Sequence, residues 1–122
     1  MSRQSLLRTA SLIAVLALAA CSGGGDGPGG GGTPTPAAAR TVTMGVSSFS
    51  PSHVAVFANG TVTWNNGSGV LHNITFDTPS SPTDIPNHDT GSNQRTFPNT
   101  GVYDYHCTNH SSMDGRVTVV VQ

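Results

Sequence analysis

The sequence predicts an all-β domain: an antiparallel sandwich of six or seven short strands between Arg40 and Gln122. Three observations carry this expectation. Apolar and polar residues alternate with period two in one short run after another. Clusters of Gly, Pro, Asn and Ser separate the runs. After residue 40 no stretch holds a convincing helical period. Strands this short, spaced by turns, are those of a sandwich with one inward and one outward face per strand.

The runs follow in order. "TVTMGV" sets Val42, Met44 and Val46 on one face. After "SPS", "HVAVF" pairs Val54 with Val56, and after "ANG", "TVTW" pairs Val62 with Trp64. "NNGSG" leads into "HNITF", which aligns His72, Ile74 and Phe76. Residues 77–93, "DTPSSPTDIPNHDTGSN", read as a long polar loop or a short irregular turn. Beyond "PNTG", "VYDYHC" aligns Tyr103, Tyr105 and Cys107, and Tyr103 is placed to form a tyrosine corner. "MDG" then precedes "RVTVVV", with Val117, Val119 and Val121 on one face. A domain this small has a limited core, so a bound metal would help it.

Two segments precede the domain. Residues 1–20 have a basic start (Arg3, Arg8) and an apolar run from Leu12 to Ala20, too short to span a bilayer comfortably. This reads as a signal peptide. It ends in "LAAC", which resembles the bacterial lipobox, so Cys21 is the expected lipidated N-terminus of the mature chain. Residues 21–40 are then the lipidated Cys and a Gly/Pro-rich flexible linker, and 41–122 the folded domain. As a flexible coil the linker spans roughly 23 Å r.m.s.. The expected location is outside the cytoplasm: anchored to a bacterial membrane, with the domain facing the periplasm or the cell exterior.

Charge excludes some partners. The formal net charge is −1, and removing residues 1–20 leaves three Arg against six Asp, with no Lys and no Glu. No basic patch exists, so nucleic acid is not expected as a partner.

The chemistry concentrates in "YHCTNHSSM", residues 105–113. With Cys21 lipidated, Cys107 has no disulfide partner, and a lone thiol in an exported protein calls for metal or burial. Alternation turns both His72 and Cys107 inward and His106 outward. His110 and Met113 follow in the turn before the last strand. Two imidazoles, one thiolate and one thioether suit copper: two His and a Cys in a plane with a weak axial Met is a blue-copper arrangement. A structural zinc site more often has four strong ligands. A catalytic cysteine needs a base and a third orienting group that "CTNH" does not supply. His53 and His88, beside turns, are expected in solvent. The N-x-S/T triplets at Asn66, Asn73 and Asn109 are chance matches in a bacterial chain.

"VTWNN…LHNITFD" followed by "TFPNTGVYDYHCTNHSSMDGRVTVVV" resembles the small cupredoxins, the plastocyanin and amicyanin group of type 1 copper proteins. The resemblance covers nearly all of residues 41–122. It implies a Greek-key β-sandwich of about seven to eight strands and one type 1 copper ion. His72, Cys107 and His110 become the equatorial ligands and Met113 the axial one. Asn73 matches a residue that pins the ligand loop by hydrogen bonds. The short Cys-x2-His-x2-Met spacing looks like the amicyanin loop. One departure is "SSM", where relatives often carry Pro-Gly before Met. The implied function is a membrane-tethered carrier of single electrons through Cu(I)/Cu(II), a monomer and not an enzyme. Its expected partner is a redox protein such as a c-type cytochrome, an oxidase or a reductase. The alternative is a copper-buffering or copper-delivery lipoprotein. The Val70–Leu71 pair before the first ligand is a candidate apolar rim for docking.

Overall fold

A computed structural model describes residues 32–122. The expected signal peptide, Cys21 and most of the expected linker lie outside the described residues. Eight strands follow in order: β1 (Ala37–Met44), β2 (Phe49–Ser50), β3 (His53–Asn66), β4 (His72–Phe76), β5 (Ile85–His88), β6 (Gly91–Phe97), β7 (Gly101–His106) and β8 (Asp114–Val120). Hydrogen bonding orders them β2-β1-β3-β8-β7-β4-β5, with β6 also paired to β3. The expected all-β sandwich is present. It is not wholly antiparallel: β1 and β8 both run parallel to β3. Short hairpins cannot make a parallel pair, so these pairings come from crossings between the layers, which short-range patterning does not show.

β3 serves both layers. Its first part, His53 to Phe57, pairs with β8 and runs away from the 107–113 loop. Its second part, Thr61 to Asn66, pairs with β1 and β6 and returns toward that end. The corner lies at the predicted "ANG" turn. Asn59 takes a left-handed φ of 68°, which Asn tolerates better than most residues. At Gly60 a Cβ would sit 2.6 Å from the Phe57 carbonyl oxygen and 2.8 Å from Val56 Cβ. Only glycine fits so tight a corner.

The inward faces pack around one aromatic centre. Trp64 is fully buried, with ring centroids 5.3 Å from Tyr105, 5.9 Å from Phe76 and 6.5 Å from Phe97. Val42, Met44, Val54, Val56, Val62, Ile74, Val117 and Val119 fill the space around it, as alternation predicts. Tyr103 forms the expected corner, its hydroxyl donating to the Asn99 carbonyl at 2.9 Å.

Two apolar residues escape the predicted face. β1 ends at Met44, where Gly45 N–H bonds to the Ser48 carbonyl, so Val46 sits in a turn and is 70% exposed. Val121 lies beyond the end of β8 and is likewise exposed. The polar stretch 77–93 also differs from a plain loop. It contains β5 and the start of β6. Side chains order it: Asp84 accepts from the Phe76 N–H at 2.9 Å, and Arg95 donates to the Thr83 carbonyl at 2.6 Å and the Asp84 carbonyl at 2.8 Å. Ile85, the one large apolar residue of the stretch, is buried.

Candidate metal centre

The loop between β7 and β8 is built from two consecutive turns. His110 N–H bonds to the Cys107 carbonyl at 3.3 Å, and Met113 N–H to the His110 carbonyl at 3.4 Å. Cys107 N–H bonds to the Met113 carbonyl at 3.0 Å and closes the loop at its base. The spacing Cys-x2-His-x2-Met is thus the spacing of turn corners, each i→i+3 bond ending where the next begins. Cys107 and Met113 are buried at the two ends, and His110 at the middle corner is half-buried.

The other imidazole arrives on a different strand. His72 is the first residue of β4 and is fully buried. β4 pairs with β7 only through Thr75↔His106 and Phe76↔Tyr105, so its first residues are free of that ladder where the loop begins. Cys107 Sγ lies 3.7 Å from His72 Nδ1 and 3.6 Å from His110 Nδ1. One ligand atom from each of the three residues lies within 4.8 Å of the others. Bonds of about 2.0–2.3 Å spread at about 120° around one ion would place sulfur and nitrogen roughly 3.7 Å apart. The donor set fits a metal on geometry as well as on chemistry.

Electrostatics favour a neutral His72. Burial lowers its pKa below the usual imidazole value, and the facing His110 lowers it further. The Gly45 backbone pulls the other way, and His88 adds a small lowering effect. A neutral ring keeps a lone pair for a metal.

A model of the copper-binding proteins of the plastocyanin/azurin family matches residues 37–122. The chain belongs to this family. It is similar to plastocyanin of Scenedesmus fuscus, 34% identical over 96 residues, covering 67% of this chain and 98% of that one. It is also similar to amicyanin-alpha of Methylorubrum extorquens, 34% identical over 82 residues, covering 64% and 69%. Among solved structures it resembles an amicyanin mutant in its reduced Cu(I) form at pH 4. The TM-score there is 0.60 at 30% identity, over 66% of this chain and 81% of that one. An oxidized amicyanin mutant gives a TM-score of 0.61 at 29% identity, over 68% and 83%.

As a member of the plastocyanin/azurin family, the chain takes copper, and His72, Cys107, His110 and Met113 form a candidate type 1 site. Asn73 lies beside it. Its Oδ1 accepts from the Thr108 N–H at 3.0 Å, and its Nδ2 donates to Thr108 Oγ1 at 2.6 Å. His106 points away, its Nδ1 2.9 Å from an Asp77 carboxylate oxygen.

Two histidines are less free than expected. His53 Nε2 lies 2.9 Å from Thr118 Oγ1 and the residue is half-buried. His88 pairs across the β4–β5 ladder with His72; its Nδ1 is 3.0 Å from the Pro86 carbonyl oxygen, and its Nε2 is buried without a partner. Both sit on strand registers that their turn-like neighbours conceal. Sequence reasoning also missed Asn66, Asn87 and Asn109. Buried Asn66 donates to the Val70 and His88 carbonyls, both at 2.9 Å, and so shapes the segment before His72. The only signal at these positions is Asn itself, read as turn former and chance sequon.

Proposed function

We propose that this cupredoxin carries single electrons between redox proteins while tethered to a bacterial membrane through Cys21. The observation that carries the electron-transfer reading is the preassembled ligand set. Strand register and backbone turns hold the three strong donors within bonding reach of one ion. A frame that does not rearrange suits copper cycling between Cu(I) and Cu(II), because little reorganisation accompanies each change of charge. When bound, copper supplies the redox chemistry. The chain's own work is to hold the donors, exclude water from Cys107 and Met113, and leave His110 as the half-exposed edge.

Docking would occur at that edge. Leu71 is 47% exposed directly before His72, and its carbonyl accepts from Asn109 Nδ2, next to His110, at 3.3 Å. Val46, displaced from the core by the Gly45 turn, adds exposed apolar surface. A small apolar rim allows close approach and quick release, as transient redox encounters need. Leu71→Asp should slow electron transfer to a c-type cytochrome at least severalfold and leave the spectrum and potential nearly unchanged. Stopped-flow mixing beside a redox titration reads both. An unchanged rate in an intact, blue Leu71→Asp protein would place the port elsewhere.

The tether has its own test. Mass spectrometry of the mature protein should find a diacylglyceryl-modified Cys21 as residue one. Cys21→Ala should leave precursor or release soluble protein. A mature N-terminus downstream of Cys21 would refute the anchor.

A further inference from the structure

Ser111 and Ser112 precede Met113 in the ligand loop, so no proline ring fixes φ there. Ser112 nonetheless holds a left-handed φ of 62°, a conformation a non-glycine residue adopts only when its surroundings impose it. Within the loop, the two turn bonds are long, at 3.3 and 3.4 Å. Only the bond from the Cys107 N–H to the Met113 carbonyl at the base is shorter, at 3.0 Å, so the His110 corner gains from a hold outside the loop.

The structure supplies a post on β5. Asn87 Oδ1 accepts two hydrogen bonds, from Asn109 Nδ2 at 2.8 Å and from Asn73 Nδ2 at 2.8 Å. One donor neighbours His110 in the loop, and the other neighbours His72 on β4. A single carbonyl oxygen therefore links the residues beside two ligands contributed by separate elements. The post is itself anchored: the next residue, His88, pairs with His72 in the ladder, and its carbonyl accepts from buried Asn66 at 2.9 Å. Asn109 adds its contact to the Leu71 carbonyl.

We propose that Asn87 and Asn109 are positioning residues for His110, their side-chain bond holding the ligand loop from outside. The role rests on the copper reading of the site, but the clamp exists in the protein with or without metal. Asn87 acts only as an acceptor toward the two amides. A carboxylate at this position accepts both bonds, whereas a methyl group accepts neither.

The test uses the purified chain with Asn87→Ala, Asn87→Asp, Asn109→Ala and the double Ala variant. Two quantities are measured: hydrogen exchange of the Thr108 and His110 amides in the metal-free protein, and the rate at which a Cu(I) chelator removes copper from the loaded protein. Asn87→Ala should speed both about tenfold, the weight of one or two ordinary hydrogen bonds. Asn109→Ala should speed His110 exchange and copper loss to a similar degree, and the double variant should fall short of the product of the two single effects, because each single variant already removes the bond they share. Asn87→Asp should stay near wild type in both. Unchanged exchange and copper loss in Asn87→Ala, or an Asp variant as leaky as the Ala variant, would overturn the proposal. A chain that never binds copper would refute the functional reading instead, and the exchange measurement would still decide the clamp.

Discussion

Cys107→Ser should abolish the intense visible absorption of the copper-loaded protein. That band, near roughly 600 nm, is the thiolate-to-copper charge transfer of a His2Cys site. Among the described residues the Cys107 thiolate is the donor that can produce it, and its Sγ lies 3.7 and 3.6 Å from the Nδ1 atoms of His72 and His110. A serine oxygen is harder and less easily ionised, and it suits cations of a different class. The fold should survive, since Cys107 N–H still bonds to the Met113 carbonyl through the backbone. Loss of colour should therefore come without loss of β structure by circular dichroism. Met113→Leu makes the contrast: it should keep the band and raise the potential, because a weak axial donor to Cu(II) is removed. Colour persisting in Cys107→Ser would show that the ligand assignment is wrong.

Trp64→Ala should cost about 3–5 kcal/mol of folding stability. A domain this size commonly has 5–15 kcal/mol in all, so the variant stands near the threshold. The cost follows from position. Trp64 is fully buried at the corner-turned end of β3, edge-on to Phe76 and Tyr105 and tilted against Phe97, and these rings come from β4, β7 and β6. Removing it opens a cavity that strands held in ladders on several sides cannot collapse to fill. The melting temperature of the metal-free protein should drop by about 15–25 °C. Copper should restore part of the loss, since a ligand bound only by the folded state stabilises it by mass action. Trp64→Phe should cost much less, because a phenyl ring keeps much of the buried apolar volume among Phe76, Phe97 and Tyr105. A melting temperature within a few degrees of wild type for Trp64→Ala would show that the core does not centre on this ring.

Much of the core was legible because a strand shows its inward face every second residue. Val42, Met44, Val54, Val56, Val62, Trp64, Ile74, Val117 and Val119 were placed by that rule, and all are buried. The donor set was legible for a different reason. Soft sulfur and imidazole side chains are scarce in this chain, and their crowding into residues 105–113 is local. Even the loop geometry was partly written there, since Cys-x2-His-x2-Met is the repeat of a backbone turn.

Other features depend on neighbours that are distant in the chain. β5 and the start of β6 lie in a stretch that reads as polar loop, because only Ile85 is apolar and the rest is ordered by Asp84 and Arg95 bonding to backbone groups elsewhere. Val46 alternates correctly with Met44 but is turned outward by a backbone bond from Gly45 to Ser48. His88 looks like a solvated turn residue and lies opposite His72.

By itself, then, the sequence determined most of the residues that face inward, Val46 and Val121 excepted, and which atoms could bind a soft metal, since both follow from local period and side-chain chemistry. The parallel β1–β3 and β3–β8 pairings, the approach of His72 to Cys107 and the amide node at Asn87 were decided only by tertiary structure. Each joins groups on different strands, and the free energy that brings them together comes from the shared core around Trp64. No local pattern encodes that partnership, because an Asn that will bond across β4, β5 and the ligand loop carries the same side chain as an Asn that will end a turn.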